Sequence, residues 1–275
     1  MLCSVTEVEE TKQMLRMIPI LITTFLPSVM VAQSNTLFIK QGTTLDKSMG
    51  PNFNLPPASL GAFVTVTMLI SVVLYDRVFV KLIRKWTKNP RGVTLLQRLG
   101  MGLALHILIM IIASLTEKYR LDVAKKHGLE HTRGQVPLTI FILLPQFVLM
   151  GVADACSEVA KIEFFYDQAP ESMKSLGTSY SMTSVGIGNF LSSFILSTVS
   201  HITKDNGHKG WIQNNLNESR LDYYFAFLAI LSSANFVFFL VIAKFYQYKA
   251  EISDSMEVLK EEISGSKNKV PNQAS

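Results

Sequence analysis

The sequence predicts an all-α membrane protein with six transmembrane helices. Only 17% of the 275 residues are charged, whereas soluble proteins of this size carry about 25%. The apolar residues fall in six long stretches, and a helix needs about 20 of them to cross the hydrocarbon core. The predicted spans are 13–39, 56–76, 95–117, 136–166, 174–202 and 221–247. They form a bundle over 13–248, between an N-terminal segment (1–12) and a polar tail (249–275).

Each predicted span contains a long run without Asp, Glu, Lys or Arg. Such runs lack the polar face that a buried helix of a large soluble protein presents to water. The alternative of a soluble helical protein is therefore disfavoured by the cost of exposing these runs. The charge-free runs are 17–39, 58–75, 99–116, 134–153, 175–203 and 223–243.

Basic residues indicate the orientation of the bundle. Six spans place both termini on one side, and that side collects 16 of the Lys and Arg residues against 10 on the other. Because loops rich in Lys and Arg stay in the cytoplasm, we expect cytoplasmic termini. The tripeptide Asn217-Glu218-Ser219 fits the N-glycosylation pattern and falls on the opposite, external side.

The first span combines two prolines with a polar end. Pro19 and Pro27 remove backbone donors and bend a helix. Bent helices near the membrane midplane often line transporter binding sites, which makes Gln33 and Asn35 candidate substrate ligands. An ordinary kink followed by a polar interfacial end explains the same residues, and the sequence leaves both interpretations open.

The fourth span supplies nearly all the charges that lie inside the membrane. Asp154, Glu158 and Lys161 are spaced by four and three residues, so they share one helical face. Charges within a span are costly and usually functional. We predict that Asp154 binds substrate or a proton and that Lys161 neutralises Glu158. For Glu158 and Lys161, a solvated helix end is the competing explanation.

Two further sites stand out by their polarity. Asn189 lies in the uncharged fifth span, where a buried amide needs a partner or a ligand. Asp76 and Arg77 end the second span, beside a basic loop. This pair is a candidate charge lock between helices, although topology alone explains the basic residues.

Several function classes are disfavoured. The sequence contains no phosphate-binding loop, nucleophile elbow or zinc spacing, so we expect no enzyme, no metal and no cofactor. His106 is the single histidine of the third span, and a lone histidine is more often a hydrogen-bonded core residue than a metal ligand. The net charge of +5 follows the loops between spans and does not indicate nucleic acid. A channel is disfavoured because no span carries a repeated polar stripe or a filter-like loop.

Four sequence stretches resemble one transporter family. Segment 161–175, KIEFFYDQAPESMKS, is similar to the link between helices ten and eleven of plant nitrate/peptide transporters. PPAS at 56–59, YDR at 75–77 and LQRLG at 96–100 resemble the same family. It belongs to the proton-dependent oligopeptide transporter group of the major facilitator superfamily, and the resemblance extends from about Val8 to Tyr248.

The resemblance implies the C-terminal six-helix bundle of a twelve-helix major facilitator fold. In that family the substrate binds between two bundles, and a Glu-x-x-Glu-Arg motif on helix one couples protons. Asp154 stands where many relatives have a pocket glutamate, and Asn35 and Asn189 match pocket positions. Val31 stands where a nitrate-binding relative has a histidine, and valine can neither protonate nor donate to an anion.

These observations lead to one leading and one alternative function. The leading hypothesis is half of a proton-coupled symporter of peptides, nitrate or other small organic solutes, driven by a proton gradient. We expect it to reside in the plasma or vacuolar membrane and to lack complete activity alone. Its expected partners are lipid, a small solute, and an N-terminal half or a full-length homologue. The alternative is a truncated membrane protein that binds or regulates full-length relatives.

Overall fold

The computed structural model describes residues 5–50, 53–87, 93–132, 134–204 and 210–246. Within these ranges the chain forms nine α-helices, three short 3-10 helices, a π-helical turn and a two-stranded sheet. The α-helices are α1 Val5–Thr23, α2 Phe25–Ser34, α3 Leu37–Thr43, α4 Gly61–Leu74, α5 Val80–Thr87, α6 Leu95–Lys126, α7 Leu144–Gln168, α8 Lys174–Thr203 and α9 Leu221–Phe245. The 3-10 helices are Pro57–Leu60, Ile140–Leu143 and Glu171–Met173, and the π-helical turn is Tyr75–Phe79.

The described helices confirm six membrane spans. Five continuous helical stretches are long and apolar enough to cross a bilayer, and a pair of helices bent by 41° supplies the sixth. The continuous stretches are Pro57–Ile83, Leu95–Lys126, Ile140–Gln168, Glu171–Thr203 and Leu221–Phe245, and the bent pair is Glu7–Thr23 with Phe25–Thr43. Each predicted span therefore corresponds to an observed one.

Several boundaries differ from the predicted ones. The first span ends at Thr43 instead of residue 39, and the second continues past residue 76 to Ile83. The helix of the first span begins at Val5, within the predicted N-terminal segment. The third span continues nine residues past Glu117, to Lys126, because its polar end is buried instead of forming a loop. The predicted start of the fourth span is wrong, since Val136–Thr139 is a strand. Pro137 disfavours a helical conformation at Val136, whose N–H donates to the Thr44 carbonyl. The predicted tail, 249–275, lies outside the described residues.

The sheet closes one end of the bundle. Strand β1 (Leu45–Asp46) runs parallel to β2 (Val136–Thr139), with Leu45 opposite Val136. We call this the far end. At the near end, where α1 begins and α9 ends, Ser172 donates to Glu10 and the Tyr246 hydroxyl to Gln168.

Helix α7 lies at the centre of the bundle and packs against α4, α6 and α8. Gly151 permits this packing on one side, since a Cβ there would overlap the Val64 carbonyl of α4. Small residues at such contacts are typical of membrane helices. Nearer the far end, Phe38 makes edge contacts with Phe147 and Phe225 at centroid distances of 5.7 and 5.5 Å.

Candidate functional site

The polar face of α7 is present as predicted. Asp154 is 7% exposed, and its buried Oδ1 has no hydrogen-bond partner among the described residues. One to two turns towards the near end, Lys161 Nζ lies 2.7 Å from Glu158 Oε2. The lysine side chain is 2% exposed and that of the glutamate 21%. Burial of the pair argues against the solvated helix end that the sequence left open.

A hydroxyl cluster links this ion pair to two other spans. Lys161 Nζ lies 3.4 Å from the Ser184 hydroxyl of α8. That oxygen in turn lies 3.0 Å from Thr24 Oγ1 and 3.1 Å from Ser28 Oγ in the first span. Gly188, one turn along α8, allows the approach, because a Cβ there would overlap Ser28 Cβ. The ammonium is thus connected through one serine to the point at which the first span bends.

The bend itself follows from the sequence of the first span. Pro27 has no N–H for the Thr23 carbonyl four residues earlier, so that acceptor is left open. Asn235 of α9 fills it, with Nδ2 donating to Thr23 O at 2.9 Å. The predicted proline bend is confirmed. The sequence did not indicate that a side chain from the last span would support it.

The three predicted amide ligands occupy different environments. Gln33 is 1% exposed, and its Nε2 donates to Ser192 Oγ of α8 at 3.0 Å. Asn35 is exposed, at the end of α2. Asn189 is also exposed, which corrects the expectation of burial, and its Nδ2 donates to the Val185 carbonyl of its own helix. Substrate binding by these residues stays a prediction.

Exposure of Asn189 belongs to a larger pattern on α8. Ser179, Thr183, Asn189 and Ser193 are all exposed and lie on one side of the helix, where exposed Met182 and Phe190 alternate with them. We call these four residues the α8 polar stripe. Polar groups are seldom turned towards lipid, so this side suits a water-filled cavity or another protein surface.

Asp76 and Arg77 lie on the π-helical turn Tyr75–Phe79, and both are exposed. Within the described ranges neither forms an ion pair, so a lock would need a partner from elsewhere. Their neighbour Tyr75 is engaged, with its ring centroid 4.0 Å from the Arg98 guanidinium. Arg98 also donates to the Ala155 carbonyl at 2.9 Å. The sequence counted Arg98 as a loop charge, but it is 6% exposed.

His106 is buried, as expected for a core histidine, with Nδ1 2.8 Å from the Gly102 carbonyl. No group of three or more metal-ligating side chains occurs among the described residues. The expectation of no metal site and no cofactor is not tested by this arrangement.

A buried polar network at the far end was not predicted. Glu117 and Arg120 are 0% and 1% exposed, and they pair through two hydrogen bonds. Gln41 donates to Glu117 at 2.7 Å, and Gln146 donates to Gln41 at 3.3 Å. The sequence assigned Arg120 to an external loop. The i,i+3 spacing of Glu117 and Arg120 was the feature of the sequence that could have indicated this ion pair.

Asn217 completes this network, and its burial argues against the glycosylation prediction. The residue is 5% exposed, and its Oδ1 accepts from Arg120 Nη1 at 2.8 Å. Its Nδ2 donates to the carbonyls of Leu129, Thr132 and Gly134 at 3.0–3.3 Å. A glycan requires an accessible Nδ2, so the folded chain has no room for one there.

Comparison with known proteins identifies the family. The model described as "PTR2: POT family" matches residues 1–212. The chain belongs to the POT family. Protein NRT1/PTR FAMILY 5.2 of Arabidopsis thaliana is 69% identical to this POT-family chain over 263 residues, which cover 95% of the chain and 45% of the relative. Protein NRT1/PTR FAMILY 5.3 of the same plant is 64% identical over 262 residues, 95% of the chain and 44% of the relative.

Solved structures agree on the fold. An auto-inhibited POT family peptide transporter superposes with a TM-score of 0.65 at 20% identity, covering 87% of this chain and 42% of that one. The POT family transporter PepTSo gives 0.64 at 21% identity, covering 89% and 45%. The predicted bundle of the major facilitator fold is thereby confirmed. The chain spans about 45% of the length of the curated relatives it matches.

Proposed function

We propose that this chain forms one six-helix wall of a proton-coupled carrier for peptides, nitrate or other small organic solutes. A proton gradient supplies the driving force, without a bound cofactor. The supporting observation is the α7 polar face, where a buried Asp154 oxygen lacks a partner. An uncompensated carboxylate inside a span is costly, so it favours taking up a proton or meeting a polar solute.

Each of the three charged residues on α7 has a separate role in this proposal. Asp154 carries the exchangeable proton or contacts the solute. Lys161 is held by Glu158 and Ser184, which both lie within 3.4 Å of its ammonium. The lysine therefore does not take Asp154 as its partner. One acid is therefore free for coupling while the other neutralises the lysine.

The α8 polar stripe supports a second wall opposite this one. Only 11% of the most apolar window of Glu171–Thr203 is buried within the chain. In the proposed carrier this stripe, with Asn35, faces a water-filled cavity that an N-terminal half closes. Asp76 and Arg77 would then find their partners on that half at the near end. We propose a plasma or vacuolar membrane location with cytoplasmic termini, in line with the distribution of basic residues.

Reassembly of the two halves tests this function. The chain is reconstituted in liposomes alone, with the N-terminal half of NRT1/PTR FAMILY 5.2, and as that half alone. Uptake of labelled dipeptide and nitrate is measured under an inward proton gradient, together with internal pH. We expect solute and proton uptake only when both halves are present. Full uptake by the chain alone would contradict the proposal.

A further inference from the structure

A groove of about 510 Å³ lies at the far end, between the last turns of α6 and the start of α9. Charged and polar side chains line it together with the apolar side chains of Leu115, Leu121 and Ala226. Neither the proposed transport site nor the α8 polar stripe contributes to it. Its combination of charged and apolar walls is the usual composition of a site for an amphiphilic ligand.

The groove lies at the depth of lipid headgroups. Helix α6 has 32 residues, about 48 Å at 1.5 Å per residue, whereas the hydrocarbon core is about 30 Å thick. Its charged last turns therefore extend into the headgroup region. Tyr119 and Tyr223 are 53% and 47% exposed at this level, and Trp211 contacts the Tyr223 ring at 5.7 Å. Such aromatic side chains mark the membrane–water interface.

The charges of the groove are almost balanced. Lys118, Lys125 and Arg220 oppose four carboxylates, and several of these groups pair with one another. Lys125 lies 3.9 Å from Glu130, and Arg220 lies 3.4 Å from Asp222. Glu218 lies 3.6 Å from His131. Lys118 and Asp122 remain, one turn apart on α6 and both exposed. Within the part of the chain that the structure describes, neither has an ion-pair or hydrogen-bond partner.

The walls of the groove are fixed before any ligand arrives. Arg120 joins α6 to the opposite wall by donating to Asn217 Oδ1 and to the Leu216 carbonyl, at 2.8 and 2.9 Å. Ser114 donates to the Asp222 carbonyl at 2.8 Å. A site held open by buried hydrogen bonds loses little conformational freedom on binding.

From these observations we infer that the groove binds the headgroup of a zwitterionic phospholipid from the surrounding leaflet. Lys118 would contact the phosphate, Asp122 the ammonium group, and the apolar wall the first part of the acyl chains. One free base beside one free acid matches phosphatidylethanolamine. An anionic lipid such as phosphatidylglycerol offers no group for Asp122 and meets the remaining carboxylates.

Lipid retention by the purified full chain tests this site. The protein is extracted from bilayers of equal phosphatidylethanolamine and phosphatidylglycerol with identical chains, and bound lipids are counted by native mass spectrometry. We expect at least about a fivefold preference for phosphatidylethanolamine, reduced about fivefold in the double variant Lys118→Gln/Asp122→Asn. Lys126→Gln, an exposed change on the same helix outside the groove lining, should leave the preference unchanged.

Three results would overturn the inference. The first is equal retention of the two lipids by the unaltered chain, and the second is an equal loss in Lys126→Gln. The third is displacement of the lipid by soluble glycerophosphoethanolamine at similar concentration, since a true lipid site also needs the acyl chains. All three substituted side chains are exposed, so we expect the helices of each variant to be intact. Circular dichroism of each variant checks this.

Discussion

Arg120 forms a bidentate ion pair with Glu117 inside the protein. Its Nε lies 2.8 Å from one carboxylate oxygen, and its Nη2 lies 2.7 Å from the other. Gln41, Thr44, Leu216 and Asn217 supply the remaining hydrogen bonds of the pair. A buried ion pair is tolerated only when its other donors and acceptors are satisfied in this way. The far end of the bundle therefore depends on one arginine that joins the first span, the third span and the segment before α9.

Replacing Arg120 by methionine should destabilise the chain by about 3–5 kcal/mol, because the buried Glu117 carboxylate loses its counter-charge. Thermal unfolding in detergent, followed by circular dichroism, measures the loss. Lys126→Met is the matched control, since this base on the same helix is exposed. Equal stability of the two variants would show that the pair contributes nothing to the far end.

Asn217 should carry no glycan when the chain is made in a eukaryotic cell. Its Nδ2 is committed to three carbonyls, and it belongs to the sole Asn-x-Ser/Thr tripeptide of the sequence. Treatment with an endoglycosidase that removes N-glycans should leave the gel mobility unchanged. A mobility shift that Asn217→Gln abolishes would mean that this end folds differently.

Alanine at Gly188 and at Gly186 should have opposite effects. At Gly188 the added Cβ overlaps Ser28, so the first span and α8 must separate, at a cost of about 1–3 kcal/mol. At Gly186 nothing lies within 4 Å of the added Cβ, and the better helix propensity should add up to about 1 kcal/mol. Unfolding of the two variants side by side measures the difference, and equal effects would contradict the close packing.

Asn235 and Pro27 should be energetically coupled. Asn235→Leu leaves the buried Thr23 carbonyl without its donor, which should cost about 1–3 kcal/mol. In a Pro27→Ala background, residue 27 regains an N–H that can reach this carbonyl, so the same change should cost less. A double-mutant cycle on thermal stability measures the coupling. Additive effects would show that the two residues act separately.

The sequence predicted the six spans, the proline bend and the shared face of Asp154, Glu158 and Lys161. These features follow from local rules: length of apolar runs, missing backbone donors and helical spacing. It failed where the environment comes from distant parts of the chain. Arg120 looked like a loop charge because its partners Thr44 and Asn217 are 76 and 97 residues away. The contacts of Ser184 and Asn235 with the first span were not predicted for the same reason.

The measurement that tests the central claim most directly is proton-driven accumulation by the two-half carrier with Asp154→Asn. Asparagine keeps the size of the side chain but cannot carry the proton. We predict that accumulation under a proton gradient falls about tenfold or more, while exchange of labelled for unlabelled solute at equal pH continues. Asp46→Asn, a change at a half-buried acid of strand β1 at the far end, is the control. An Asp154→Asn carrier that still accumulates solute with unchanged proton uptake would contradict the account.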